Sequence, residues 1–170
     1  MSKYNYQPQK ILLTHSHWDH IADAALLKAH YQIPVLIHPD DAGNLERPGS
    51  DRLPCRLNIP GVSPDGWLEE GAEIPVGALT FKVIHTPGHT PGGVCLYCAA
   101  HRLLLSGDTL FKGSMGTLAL PTAQPQLMWN SLKKLARLPP DTKAFPGHGP
   151  STTIGAESWL DQAEKFFGNN

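Results

Sequence analysis

Cysteine is scarce. The three in 170 residues (Cys55, Cys95 and Cys98) are an odd number and too few for a disulfide scaffold, which points to a reducing, cytoplasmic setting. No excess of one charge exists either: 14 Lys and Arg stand against 15 Asp and Glu, for a formal charge of −1. A nucleic-acid partner held through counterion release is therefore excluded. Long apolar runs are missing. Ile11–Leu13 and Leu103–Leu105 fall far short of the roughly 20 residues that span a bilayer, and residues 1–7 contain no secretory-type apolar stretch. Internal repeats, low-complexity tracts and the G-x-S-x-G nucleophile elbow are also lacking. With 41% hydrophobic and 17% charged residues, the composition is that of one globular domain covering residues 1–170.

What the chain has in plenty is histidine, nine in all and unevenly placed. Periodicity sets the frame around them. Gln9–Leu13 reads as a short buried strand, followed by a helix to about His30 and a doubly buried strand at Pro34–His38. Residues 43–66, rich in Gly, Pro, Ser and Asp, read as one long surface connection. Short strands follow at Glu73–Val76, Leu79–His85, Gly93–Cys98 and Arg102–Leu105. A helix beginning at Pro125 carries a stripe of Met128, Leu132 and Leu135, then comes a strand at Thr142–Phe145 and a last helix over Gly155–Phe167. The class is α/β.

The chemistry concentrates at the strand-to-helix junction Thr14-His15-Ser16-His17-Trp18-Asp19-His20. Alternate residues of an extended loop point the same way, so His15 and His17 can face one metal while Asp19 and His20, where the chain turns into a helix, face another. Imidazole with carboxylate suits Zn²⁺, and less selectively Fe or Mn. Three further residues each lie just past an expected strand in a glycine-flanked turn: His89 in T-P-G-H-T, Asp108 in S-G-D-T and His148 in P-G-H-G. Side chains that converge from several strand ends are how α/β folds assemble active sites.

The segments T-H-S-H-W-D-H, T-P-G-H-T-P-G, S-G-D-T-L-F and F-P-G-H-G-P-S-T-T, in this order between Ile11 and about Gly155, resemble the metallo-β-lactamase-fold hydrolases, most of all their glyoxalase II-like (hydroxyacylglutathione hydrolase-like) branch. The resemblance implies an αββα sandwich and two metal ions, Zn²⁺ or alternatively Fe or Mn. His15, His17 and His89 would hold the first, Asp19, His20 and His148 the second, and Asp108 would bridge them. It also implies a small-molecule thioester as substrate, attacked by a metal-bridging hydroxide that Asp19 helps to orient, with Asp19 and Asp108 as the catalytic carboxylates. Family members carry several strands ahead of the metal loop, whereas fourteen residues precede His15 here. The expectation is a first sheet that lacks N-terminal strands, with an apolar face that a second copy could cover as a homodimer. Thr117–Pro121 is apolar where the glyoxalase II-like proteins usually carry a basic anchor, with Lys112 a possible substitute, and glyoxalase II proper adds a helical domain after this point.

The remaining residues have plainer readings. His30 and His101 belong at a helix end and a hairpin turn. His38 and His85 pack near the site or hydrogen-bond to it. Cys95 and Cys98, three apart in a strand, point to opposite faces and do not meet. Trp18 lines the pocket, Trp67, Trp129 and Trp159 pack, and Lys133-Lys134 is a solvated helix face. Two other functions compete with thioester hydrolysis: a persulfide dioxygenase with a single iron, and a non-catalytic metal-binding remnant of the fold. Lactones, β-lactams and phosphodiesters are the substrate alternatives within hydrolysis.

Overall fold

Alternation of buried side chains along short strands builds two sheets, seen in a computed structural model that describes residues 6–168. The first sheet is wholly parallel, in the order β1 (Ile11–Leu12), β2 (Val35–Ile37), β3 (Gly66–Trp67). The second has six strands in sequence order: β4 (Glu73–Val76), β5 (Leu79–His85), β6 (Val94–Cys98), β7 (Leu103–Gly107), β8 (Lys143–Pro146) and β9 (Thr152–Thr153). All its pairings are antiparallel except β7 with β8. Because β5 and β7 both oppose β6, strands β5, β7 and β8 run the same way and end at one edge.

The strand period decides which face each residue supplies. On β2, Val35 and Ile37 join Ile21, Ala24 and Leu45 under the helices α1 (Trp18–Ile21), α2 (Ala24–Tyr31) and α3 (Pro39–Glu46). Leu36, between them, turns to the opposite face and meets the second sheet. On β7, Leu103 and Leu105 face inward while Leu104 joins the outer cluster beneath α4 (Pro125–Leu135) and α5 (Ala163–Phe167). Met128, Leu132 and Leu135 are fully buried there, as their spacing predicts. The layers are therefore helices, sheet, sheet, helices. Three strands face six, and Phe145 of β8 stands 36% exposed. Among the described residues no helix is long and apolar enough to cross a membrane.

Four expectations need correction. Residues 43–66 are not one connection: α3 occupies their start and β3 takes Gly66. Local signals do mark α3, since Pro39 sits at its start, Asp40 and Asp41 fill its first turn, and the His38 ring accepts a hydrogen bond from the Asp40 amide. The helix expected to run to His30 breaks at Ala22–Asp23, where the sequence has neither glycine nor proline to announce it. Gly155–Phe167 is helical only from Ala163, after two 3₁₀ turns at Ile154–Ala156 and Leu160–Gln162. The buried Glu157 carboxylate holds that segment by accepting from the Gly113 amide, Thr152 Oγ1 and Trp159 Nε1. The short edge strand β9 was not expected at all, being two residues of a turn-like S-T-T sequence.

Cys95 lies in the outer cluster and Cys98 in the inner one, so the C-x-x-C pair is divided between faces. Burial also pushes the Cys95 thiol up to about 11. Under native conditions a disulfide reagent will modify only the half-buried Cys55, with Cys95 and Cys98 reacting after unfolding. Leu132→Ala should lower unfolding free energy by about 2–5 kcal/mol in urea titration, as expected for a cavity beneath α4.

Candidate metal centre

Five of the seven candidate side chains are delivered by the ends of strands, and Asp19 and His20 by α1, which follows β1 closely. His15 and His17 follow β1, His89 follows β5, Asp108 follows β7 directly and His148 follows β8. The two sheets are stitched at this edge by the Val94 amide, which donates to the Thr14 carbonyl at 2.8 Å. Glycine makes the closest approaches possible. Gly107 takes φ +48° against Thr14, and a Cβ on Gly147 would come within 2.3 Å of Asp108 Oδ1.

All seven residues singled out by their motifs are brought together. His15, His17 and His89 offer donor atoms within 4.8 Å of one another, and so do Asp19, His20 and His148. Asp108 stands between the two sets. Its Oδ2 is 3.6 Å from His89 Nε2 and 3.6 Å from His148 Nε2, and its Oδ1 is 3.5 Å from His20 Nε2. On the outer side His148 Nε2 lies 3.0 Å from Asp19 Oδ2, with both side chains partly open to solvent.

The donor atoms fit a cation and little else. His15 Nε2, His17 Nε2, His89 Nε2 and Asp108 Oδ1 are buried with no hydrogen-bond partner, a cost normally avoided in a native protein. His89 Nδ1 is 2.9 Å from the Thr117 carbonyl, so it donates there and leaves Nε2 as the lone pair facing the site. Burial, reinforced by the neighbouring imidazoles, holds His15 well below the ordinary histidine range. Burial, then His89, brings His17 down to about 4. Both rings are therefore neutral at pH 7, the form that binds metal. In the metal-free protein burial also raises the Asp108 carboxyl.

Motif reading missed the residues that hold the loop. The buried Asp41 carboxylate of α3 accepts the Ser16 amide at 2.9 Å and the Gly92 amide at 2.7 Å, so it ties the His15–His17 loop to the His89 loop. Asn44, one turn along, donates to the Ser16 carbonyl at 2.6 Å and to Asp51 at 2.9 Å. The peptide between His15 and His17 is thus gripped at both ends by one helix. The acidic start of H-P-D-D-A just after a buried strand is the only sequence signal for it. His85 Nε2 adds a third tie, donating to the Pro91 carbonyl at 2.9 Å. Trp18 stands exposed at the start of α1, and His30, His101 and Lys112 are also exposed.

Two outcomes follow. Asp41→Ala strands two buried amides at about 1–3 kcal/mol each and should cost about 2–5 kcal/mol in chemical denaturation, with weaker metal retention on dialysis. For His17, whose native pKa lies below its unfolded value, folding stability is complete above about pH 6.5 and is lost as pH falls toward about 4. Thermal melts of chelator-treated protein across that window check the sign, and the loss should shrink when metal is restored.

Comparison with known proteins agrees with this geometry. The family model of the metallo-β-lactamase superfamily matches residues 5–148. The chain is 31% identical over 155 residues to the hydroxyacylglutathione hydrolase GloC of Haemophilus influenzae, covering 86% of this chain and 71% of that protein. Among solved structures, the B3 metallo-β-lactamase BLEG-1 superposes with a TM-score of 0.84 at 37% identity, over 94% of this chain and 80% of that one. TTHA1623 in a di-iron-bound form gives a TM-score of 0.79 at 38% identity, over 94% and 79%. With the family model spanning most of its length and the αββα layers built around a His and Asp cluster, the chain belongs to the metallo-β-lactamase superfamily.

Proposed function

We propose that this protein is a dinuclear metal-dependent hydrolase acting on a small thioester of the hydroxyacyl-thiol type. The observation that carries the reading is the pair of three-residue sets joined through Asp108, with the three imidazole Nε2 atoms of the first set and Asp108 Oδ1 buried and unsatisfied. In this reading His15, His17 and His89 hold one cation, Asp19, His20 and His148 hold another, and Asp108 serves both. Bound divalent cations would supply Lewis acidity, making water more acidic and polarising the substrate carbonyl. Zn²⁺ suits the donor set, with iron the alternative that the di-iron form of TTHA1623 supports.

The chain's own residues do the positioning. Asp19, at the open side, has a second carboxylate oxygen that would accept the proton of the attacking water, while its Oδ2 and His148 Nε2, 3.0 Å apart, would both serve the second cation. Water adds to the acyl carbon, the C–S bond breaks, and the released thiolate takes up a proton, giving acid and thiol. No protein nucleophile is needed, and the two strand cysteines are buried on β6, outside the cluster. A site with a full second set of donors favours this reading over one iron held by two histidines and an aspartate. Similarity to the Haemophilus hydroxyacylglutathione hydrolase supports the thioester class. Glutathione itself as the thiol carrier has less support, because the Thr117–Pro121 loop beside His89 offers no charged anchor.

Elemental analysis of purified protein should find close to two metal ions per chain. A panel of thioester, lactone, β-lactam and phosphodiester substrates should show turnover of the thioester. Asp108→Ala should lose at least one ion and about a hundredfold or more in rate. Metal-free protein without turnover on any substrate after metal reconstitution would overturn the proposal.

A further inference from the structure

Besides Asp41, a second buried carboxylate gathers donors from separate turns near the metal cluster, and it belongs to Glu157. Its Oε2 accepts the Gly113 amide at 2.9 Å and Trp159 Nε1 at 2.7 Å, while its Oε1 accepts Thr152 Oγ1. Gly113, at φ +71°, lies in the tight turn Phe111–Ser114 shortly after Asp108, closed by the Phe111 amide donating to the Ser114 carbonyl at 2.9 Å. Thr152 opens β9, which pairs with β8 across the loop that carries His148. One carboxylate therefore fastens the turn after Asp108 to the exit of the His148 loop.

His148 is the ligand candidate that most needs such a hold. Its side chain is 55% exposed, against 16% for His20 and 8% for His89. The His89 ring is fixed through Nδ1 by the Thr117 carbonyl. His148 instead meets the Phe111 ring edge-on, with centroids 6.3 Å and planes 80° apart. Phe111 rides on the turn that Glu157 holds through Gly113. At the other end of the loop, the Gly147 amide donates to the Gly107 carbonyl at 2.9 Å and sets where the loop begins. Glu157 sets where it ends, and places the ring against which His148 rests. Packing alone would be served by an apolar side chain, without the cost of burying a carboxylate. For the outer donor set, the arrangement repeats what Asp41 does for the loops of His15–His17 and His89.

We propose that Glu157 is a positioning residue for His148, and that it thereby governs how tightly the cation of Asp19, His20 and His148 is held. This role presupposes the two-cation reading above. Without the carboxylate, the Phe111 turn and Thr152 are released and His148 is free to swing toward solvent. His15, His17 and His89 keep their own ties through Asp41 and the Thr117 carbonyl. The loss falls on one cation of the pair.

Zn²⁺-loaded protein, dialysed against graded free Zn²⁺ with bound metal counted by elemental analysis, separates the two ions. Glu157→Ala should hold the first ion as the wild type does and the second about 10- to 100-fold more weakly. Glu157→Gln should bind both as the wild type does, because its amide can accept from Gly113 and Trp159 and donate to Thr152. Phe111→Ala, which leaves all three hydrogen bonds in place, should also weaken the second ion, and adding it to Glu157→Ala should cost little more. In ¹⁵N imidazole spectra of loaded Glu157→Ala, the His148 signals should shift or broaden while those of His15 and His17 stay. A wild-type chain that holds a single ion overturns the two-cation reading and this role with it. A wild-type chain with two ions, whose Glu157→Ala and Phe111→Ala variants lose both equally or neither, overturns the role of Glu157 alone.

Discussion

Burying several imidazole lone pairs without hydrogen-bond donors is the constraint around which this structure is organised. Left unmatched, each such atom costs free energy that a small domain has little of to spare. His15, His17 and His89 bring three of these atoms to one place and Asp108 adds a carboxylate oxygen. A positive charge at the centre turns this destabilising arrangement into a stabilising one, so metal binding and folding are thermodynamically linked. Neutral imidazoles follow from the same burial, because desolvation disfavours their protonated forms.

Holding such a cluster requires a rigid frame, and the frame is largely backbone. β5, β7 and β8 run in one direction, so the residues that follow them emerge at a single edge, opposite the turn that follows β1. Inward-facing Leu12, Leu36, Val83, Leu96 and Leu105 fix the spacing of the sheets beneath that edge. Asp41 and Asn44 then fix the loops themselves, with hydrogen bonds to both ends of the peptide at Ser16. Thr86 and Thr109, bonded through their hydroxyls at 2.8 Å, link the strand ends that carry His89 and Asp108. These ties are buried and charge-assisted or backbone-directed, which makes them stiff compared with the exposed ion pairs elsewhere on the surface.

Much of this was legible in the residues. The strands β4 to β8 and helix α4 show their buried faces through simple periods, and turns rich in Pro and Gly mark their ends. The seven metal-site candidates are legible because each sits in a short motif whose residue types do little else well. α3, β3 and β9 were hidden for a different reason. α3 is short, polar and opens a segment that has loop composition, and its stability comes from Leu45 under the first sheet and from Asp41 and Asn44 reaching other loops. β3 and β9 are two residues each, too short for any period to register, and exist because a neighbouring strand offers hydrogen bonds.

The sequence alone determined the set of donors, the turns that carry them, and the inward and outward alternation of each strand, since all of these depend on residue type and near neighbours. That residues as far apart as His20 and His148 come to lie 3.2 Å from each other was decided by tertiary structure. So was the choice of Asp41, rather than its neighbour Asp40, as the buried clamp. These outcomes depend on strand direction, sheet pairing and the burial they create, which are properties of the packed chain and leave no mark on the residues nearby.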